Sequence, residues 1–364
     1  MINFLSIDEN TQKAIMVIVN AYQNQIKASI EHVLKIKIPK IDKQEISGIL
    51  KHQGAGGVTY ILQATFTTGP KQINGGIVVK FANDLDEDSR NAKELSDILK
   101  KRESEWKQNP PPKPLPEWMP KIVFSPAVLG THPSRNVIIL EFIGGGIPLL
   151  KTDFPEDQKY QILGYALARF HGSQSYSLAM PLYEPMFRML EMYLPDNQEV
   201  INFWRDILTK SKGGCQFIHG DSHLENVLYS QTSHAIAWID ALLVPRGDRM
   251  DDVTYAISHI VQEEIFERLE ANPNESSRVI LTNVLRDMAQ KIVPQVLTIY
   301  MRTANLKGLY DTVIPIDFFL GFHLLNRTQL FGESKISTIL EILGKELIIE
   351  RPLGKLLGLD KSGS

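Results

Sequence analysis

The hydrophobic period of this chain changes along its length, and that change limits what it can fold into. Between residues 46 and 143 the β-branched and aromatic residues form short runs broken by glycine, proline and turn residues. ISGILKHQGAGGVTYILQATFTT reads as strand, turn, strand around a glycine cluster. GGIVVKFAN reads as a third strand after a turn over Gly69 to Gly76, and KIVFSPAVL and RNVIILEFI fit two more. From about residue 156 the apolar residues recur at spacings of three and four. QKYQILGYALARFHG puts Ile162, Leu163, Ala166, Leu167 and Phe170 on one stripe, and the stretch from 255 to 350 holds several more such helices. GGGIPLL marks the joint between the two patterns. Residues 11 to 36 and 89 to 105 read as further helices, the second preceded by an acidic loop, NDLDEDSR. NPPPKPLPEWMP cannot be helix or central strand, because proline lacks the amide donor. It reads as a stiff surface connector or as a ligand for a proline-reading module.

The expected architecture is α+β: a helical extension over 1–45, a small strand-rich unit over 46–143 and a larger, mostly helical unit over 144–364. At 364 residues and 43% hydrophobic, the chain is long enough for two such units. A formal net charge of -3, with charges of both signs well mixed, excludes a nucleic-acid binder that works by bulk positive charge. The single cysteine, Cys215, forms no disulfide within the chain; it reads as a small core residue in a reducing cytoplasm. AIMVIVNAY is too short to span a membrane. The expectation is a soluble cytoplasmic protein with no membrane or nucleic-acid partner; nothing in the sequence sets an oligomeric state.

One segment carries chemistry: FIHGDSHLENVLYSQTSHAIAWID, residues 217 to 240. It holds His219, Asp221, Asn226 and Asp240, with VLYS and AIAWID reading as two short strands around the turn SQTSH. A carboxylate to orient a hydroxyl, with an amide and a second carboxylate to hold magnesium, is what phosphoryl transfer from a nucleotide requires. Asp221 is then the base, and Asn226 and Asp240 are the hard oxygen ligands that magnesium takes sparingly from protein. Taken singly each has a plainer reading: Asp221 as a turn cap, Asn226 as loop chemistry before a strand, His219 as a ring that holds backbone or a second aspartate in place. His223 has no assigned role.

The joint pattern HGDxHxxN, followed fourteen residues after Asn226 by the Ile239-Asp240 end of an apolar run, resembles the catalytic segment of the aminoglycoside phosphotransferase and choline kinase superfamily. The resemblance spans roughly residues 46 to 255. It implies a two-lobed protein-kinase-like fold with a small antiparallel-sheet N-lobe that binds nucleotide and a larger helical C-lobe that carries the catalytic loop and acceptor site. It also implies that Asp248 and Asp252 brace the catalytic loop. It implies further that Lys80, at the end of IVVK, pairs the donor phosphates while a helix glutamate holds it, Glu94 first, with Glu103 and Glu105 as alternates. Gly54, Gly56 and Gly57 would let backbone amides cover phosphate, or would simply turn a hairpin. Glu141 and Ile143 would flank a hinge whose backbone reads adenine. LARFHG is similar to a stretch of that family's helical lobe, with His171 a core or supporting residue. Two positions depart from the pattern: Ser222, where an apolar residue is common, and Ala241, where an aromatic or glycine is frequent.

The expected function is an ATP- and Mg2+-dependent phosphotransferase acting on a hydroxyl of a small molecule: an aminoglycoside, a choline-like amino alcohol or a sugar. A non-catalytic kinase-like nucleotide-binding protein is one alternative. A protein kinase is another, against which stands the lack of His-Arg-Asp, Asp-Phe-Gly and Ala-Pro-Glu. Glu263 and Glu264 read as a solvated helix face or as partners for an acceptor amine.

Overall fold

The computed structural model describes residues 43–54, 57–68, 71–108, 115–132, 136–141, 146–172, 183–211, 217–231, 233–304 and 314–357, with few side chains before residue 78. The helix expected over 11–36, Cys215 and residues 109–114 of the proline run lie outside them. In chain order the elements are β1 (Lys43–Gly54), β2 (Gly57–Thr68), β3 (Lys71–Ala82), α1 (Leu85–Gln108), β4 (Ile122–Phe124), β5 (Val128–His132), β6 (Val137–Glu141) and β7 (Gly146–Pro148). There follow α2 (Glu156–His171), α3 (Glu184–Tyr193), α4 (Gln198–Lys210), β8 (Phe217–Ile218), β9 (Val227–Ser230), β10 (Ala235–Trp238) and β11 (Val244–Pro245). The last are α5 (Arg249–Ala271), α6 (Ser277–Asp287), α7 (Val293–Ala304), α8 (Ile316–Arg327), α9 (Lys335–Glu350) and α10 (Pro352–Leu356).

The chain divides into two compact units. The first takes in residues up to Lys101, Lys121–Ile147 and Leu228–Asp240; the second takes in Arg102–Pro120, Pro148–Val227 and Ala241–Ser364. In the first, β1-β2-β3-β6-β5 form an antiparallel five-stranded sheet. A second sheet runs β4-β10-β9-β7, with β10 parallel to β4. All four residues of β10 are buried, as are Val137, Ile138 and Ile139 of β6, because both faces of these strands are covered.

Several elements differ from the sequence expectation: β1 begins at Lys43, inside the stretch assigned to the helical extension, and KIVFSPAVL is not one strand but holds β4 and the start of β5, which belong to different sheets. β3 begins at Lys71, so most of the stretch expected as a turn, from Lys71 to Gly76, is strand. The acidic stretch is mostly helix: Asp84 Oδ1 accepts the Glu87 amide at 3.0 Å, and Asp86, Glu87 and Asp88 fill the first turn of α1. An aspartate cap and carboxylates at the positive end of the helix dipole favour this start.

The second unit is built on helices. Where α2 meets α7, a Cβ on Gly164 would lie 2.3 Å from the Val296 carbonyl oxygen, so only glycine permits the approach. Gly321 and Gly344 serve the α8–α9 crossing in the same way: a Cβ on either would lie within 2.8 Å of the other's carbonyl oxygen. A π-helical turn, Met288–Ile292, joins α6 to α7 and ends two residues before Pro294. Proline there offers no amide to the carbonyl four residues back, which accounts for the widened turn.

Candidate active site

In the second unit, the loop after β8 turns at Gly220, whose φ of 80° lies where glycine is favoured; a Cβ would meet Val244 Cγ2 at 2.9 Å. Asp252, in the first turn of α5, fixes this loop. Its Oδ2 accepts the His219 amide at 2.6 Å and its Oδ1 the Gly220 amide at 2.8 Å. Its carbonyl accepts Ser222 Oγ at 2.7 Å. The Asp252 side chain is fully buried, and behind it His171 Nε2 lies at 3.0 Å from Oδ2, with Nδ1 at 2.8 Å from Tyr300 Oη. Burial pushes the Asp252 pKa up, but the hydrogen bond from His171, the electrostatic effect of the two neighbouring histidines and the Gly220 amide outweigh burial and hold it below the usual carboxylate range. Burial lowers the pKa of His171. The pair is therefore a carboxylate and a neutral imidazole that donates from Nε2 and accepts from Tyr300.

Asp248 caps α5. Its Oδ1 accepts the Met250 amide at 2.8 Å, and its Oδ2 accepts Tyr183 Oη at 2.6 Å. His219 is fully buried, packs edge-on to Phe170, and its Nδ1 accepts the Asp221 amide at 3.3 Å.

Asp221 thus leaves a loop held from behind. Its Oδ2 accepts Asn226 Nδ2 at 2.9 Å, and the same amide reaches the Asp221 carbonyl at 2.9 Å. Its Oδ1 accepts Tyr255 Oη at 2.8 Å, and His223 Nε2 lies 3.5 Å from that oxygen. Burial would raise the Asp221 pKa; the bonds from His223 and Tyr255 and the nearby charge overcome it and set the pKa at about 2. The carboxylate is 30% exposed, so an ionised oxygen pair meets solvent in a fixed orientation. Asn226 ends the 3-10 turn Leu224–Asn226, directly before β9.

In the first unit, Lys80 on β3 points its Nζ at Asp240 Oδ1, 2.9 Å away, with Asp88 Oδ2 at 3.8 Å. Burial lowers the Lys80 pKa, but the two carboxylates outweigh it and the net shift is upward. Asp240 lies two residues beyond β10 with φ at 54°, a strained value for a non-glycine residue. Asp88 has a raised pKa, from burial first and then from the negative charges of Asp240, Glu87 and Asp84, against the pull of Lys80.

The helix residue beside Lys80 is therefore Asp88, in the first turn of α1. Glu94, nearly two turns on, is half-buried and makes no ion pair among the described residues. Glu103 pairs with Arg169 and Glu105 with Arg102. The carboxylate sits earlier because α1 itself starts earlier, inside the stretch that reads as a loop. Gly54 and Gly57 face each other in register at the β1–β2 end, while Gly56 lies outside the described residues, as does Ile143. Glu141 closes β6 with its side chain folded back, Oε2 accepting the Ala127 amide at 3.2 Å. Among the described residues no helix is long and apolar enough to cross a membrane.

The sequence reading passed over Asp88, Tyr255 and His259. The last two had a signal: 252, 255 and 259 fall at i, i+3 and i+7, on the face of α5 that carries Asp252.

No protein-family model matches the chain, and no curated protein matches it. Solved structures do. The chain is similar to a choline/ethanolamine kinase family protein from Mesorhizobium loti, at 13% identity, covering 88% of this chain and 99% of that one with a TM-score of 0.36. It is similar to an ethanolamine kinase from Plasmodium vivax, at 11% identity over 87% of this chain and 84% of that one, TM-score 0.37. It is also similar to an aminoglycoside phosphotransferase from Streptomyces rimosus, at 14% identity over 71% of this chain and 92% of that one, TM-score 0.33. At this level of likeness the chemistry has to be argued from the side chains.

Proposed function

We propose that this protein is an ATP-dependent phosphotransferase that moves the γ-phosphoryl group to a hydroxyl of a small molecule. The observation that carries the reading is Asp221: an ionised carboxylate, fixed through Tyr255 and Asn226 and presented by a loop tied to buried Asp252. The acceptor oxygen forms a bond to the γ-phosphorus as the bond to the β-γ bridging oxygen breaks, and ADP leaves. Asp221 orients the hydroxyl and takes its proton late. A pKa of about 2 makes it a weak base, which suits a loose transition state in which positioning outweighs proton abstraction.

Asn226 and Asp240 are the proposed magnesium ligands. Asn226 spends its NH2 on Asp221, which leaves its oxygen for a ligand, and Asp240 keeps a half-exposed carboxylate. Both are hard oxygen donors of the kind magnesium takes. When bound, that ion supplies positive charge to the phosphates. Lys80 is the proposed phosphate cation; with Asp88 beside it, it has a second carboxylate to hold it when nucleotide engages Asp240. Amino alcohols, aminoglycosides and sugars are the acceptor classes to screen.

The test is ADP release with Mg2+ and ATP across those acceptors, comparing the native chain with Asp221→Asn. We expect turnover with at least one class, falling by about three orders of magnitude or more in the variant while ATP binding is kept. ATP binding with no release on any acceptor, or a variant as fast as the native chain, would overturn the reading.

A further inference from the structure

We propose that Asp221, His223 and His259 form a binding site for a divalent transition metal of the zinc type, distinct from the magnesium ligands Asn226 and Asp240. One ligand atom from each lies within 4.8 Å of the others. His223 rises from the loop and His259 from α5, and the two rings stack with centroids 4.4 Å apart. Tetrahedral zinc at about 2.0–2.1 Å from nitrogen and oxygen spaces its ligands by about 3.4 Å, so the trio closes on an ion by moving about an ångström.

The second observation is His259 Nε2. It is buried and has no hydrogen-bond partner among the described residues. A buried polar nitrogen without a partner bears its desolvation cost uncompensated, and such atoms call for a ligand, water or ion.

The donor set selects the metal. Two imidazoles with one carboxylate suit zinc, cobalt, nickel or copper, whereas magnesium takes oxygen ligands. The polar neighbours of the trio include Tyr255, which donates to Asp221 Oδ1, Asn226, which donates to Oδ2, Arg327, 5.2 Å over the Tyr255 ring, and His323, edge-on to that ring. Binding would occupy Asp221 and so silence the base; that consequence rests on the phosphotransfer reading, whereas the binding does not.

The experiment uses the full chain, stripped with a chelator and titrated with cobalt(II) by visible absorption and with zinc by calorimetry. We expect one equivalent to bind, with the intense bands of a four- or five-coordinate nitrogen-containing site, and excess magnesium to leave it in place. His259→Gln and His223→Gln, each keeping a polar side chain, should weaken zinc by at least about tenfold, and Cys215→Ser should not. Zinc should raise the melting temperature of the native chain and not of the histidine variants, which separates lost ligation from lost folding. Absence of uptake by the native chain, uptake that survives both histidine substitutions, or loss of uptake in Cys215→Ser would overturn the proposal. If zinc binds as expected while ADP release fails for every acceptor, the metal site stands and the kinase reading falls.

Discussion

Asp221 and Tyr255 show what a single hydrogen bond can set. The tyrosine donates to the charged carboxylate at 2.8 Å, against a burial that opposes ionisation. A bond to an ionised group contributes about 1.5–3 kcal/mol, and a pKa unit is about 1.4 kcal/mol. Tyr255→Phe should therefore raise the Asp221 pKa from about 2 by about one to two units. Carbon-detected NMR of the carboxyl group measures this, and an unmoved titration would remove Tyr255 from the set of groups that fix Asp221. Because the native pKa is depressed, the stability linked to it is present above the unfolded value of about 3.9 and is lost as pH falls through about 2. The variant should give up that stability at a higher pH and have less of it at neutrality. Asp221 and Asn226 are legible in sequence because they share one loop. Tyr255 lies 34 residues on and enters only once α5 is drawn as a helix with Asp252 on the same face.

At the scale of elements, glycine decides how closely helices approach, and local propensity misjudges it. On propensity alone Gly164→Ala in α2 should stabilise by about 1 kcal/mol. The added Cβ would sit 2.3 Å from the Val296 carbonyl oxygen, a backbone atom that cannot rotate away. Forced overpacking costs about 1–3 kcal/mol, so we expect net destabilisation, read as a lower denaturant midpoint with an unchanged slope. A midpoint at or above the native one would mean that α7 shifts to make room. The apolar stripe of α2 is plain in the sequence, but which partner it meets is not, because a period names a buried face and leaves the opposite helix open. The start of α1 escaped for a related reason. Charge density in NDLDEDSR looks like a loop until Asp84 is recognised as a cap, and a helix drawn from residue 89 offers Glu94 to Lys80 and leaves out Asp88, nearly two turns earlier.

Across the whole molecule, the change of period near residue 144 is a local property, and the compact units follow a longer-range one. Residues Leu228–Asp240 return to the first unit, bringing β10 alongside β4 and Asp240 to Lys80. No window of sequence carries that return. It makes the first unit discontinuous, so a fragment ending at Ile147 lacks β9 and β10 and leaves β4 unpaired. Ile236 and Trp238 are both fully buried, and burying two such side chains contributes about 3–6 kcal/mol. Against a typical total stability of about 5–15 kcal/mol, that loss, with the strand hydrogen bonds added, removes most of the margin. The fragment 1–147 should show no cooperative thermal transition by circular dichroism and little dispersion in its amide spectrum. The full chain, measured alongside, should show both. A cooperative melt of the fragment would mean that the five-stranded sheet is self-sufficient, and that the return of Leu228–Asp240 serves to bring Asp240 to Lys80 and adds little to the folding of the unit it joins.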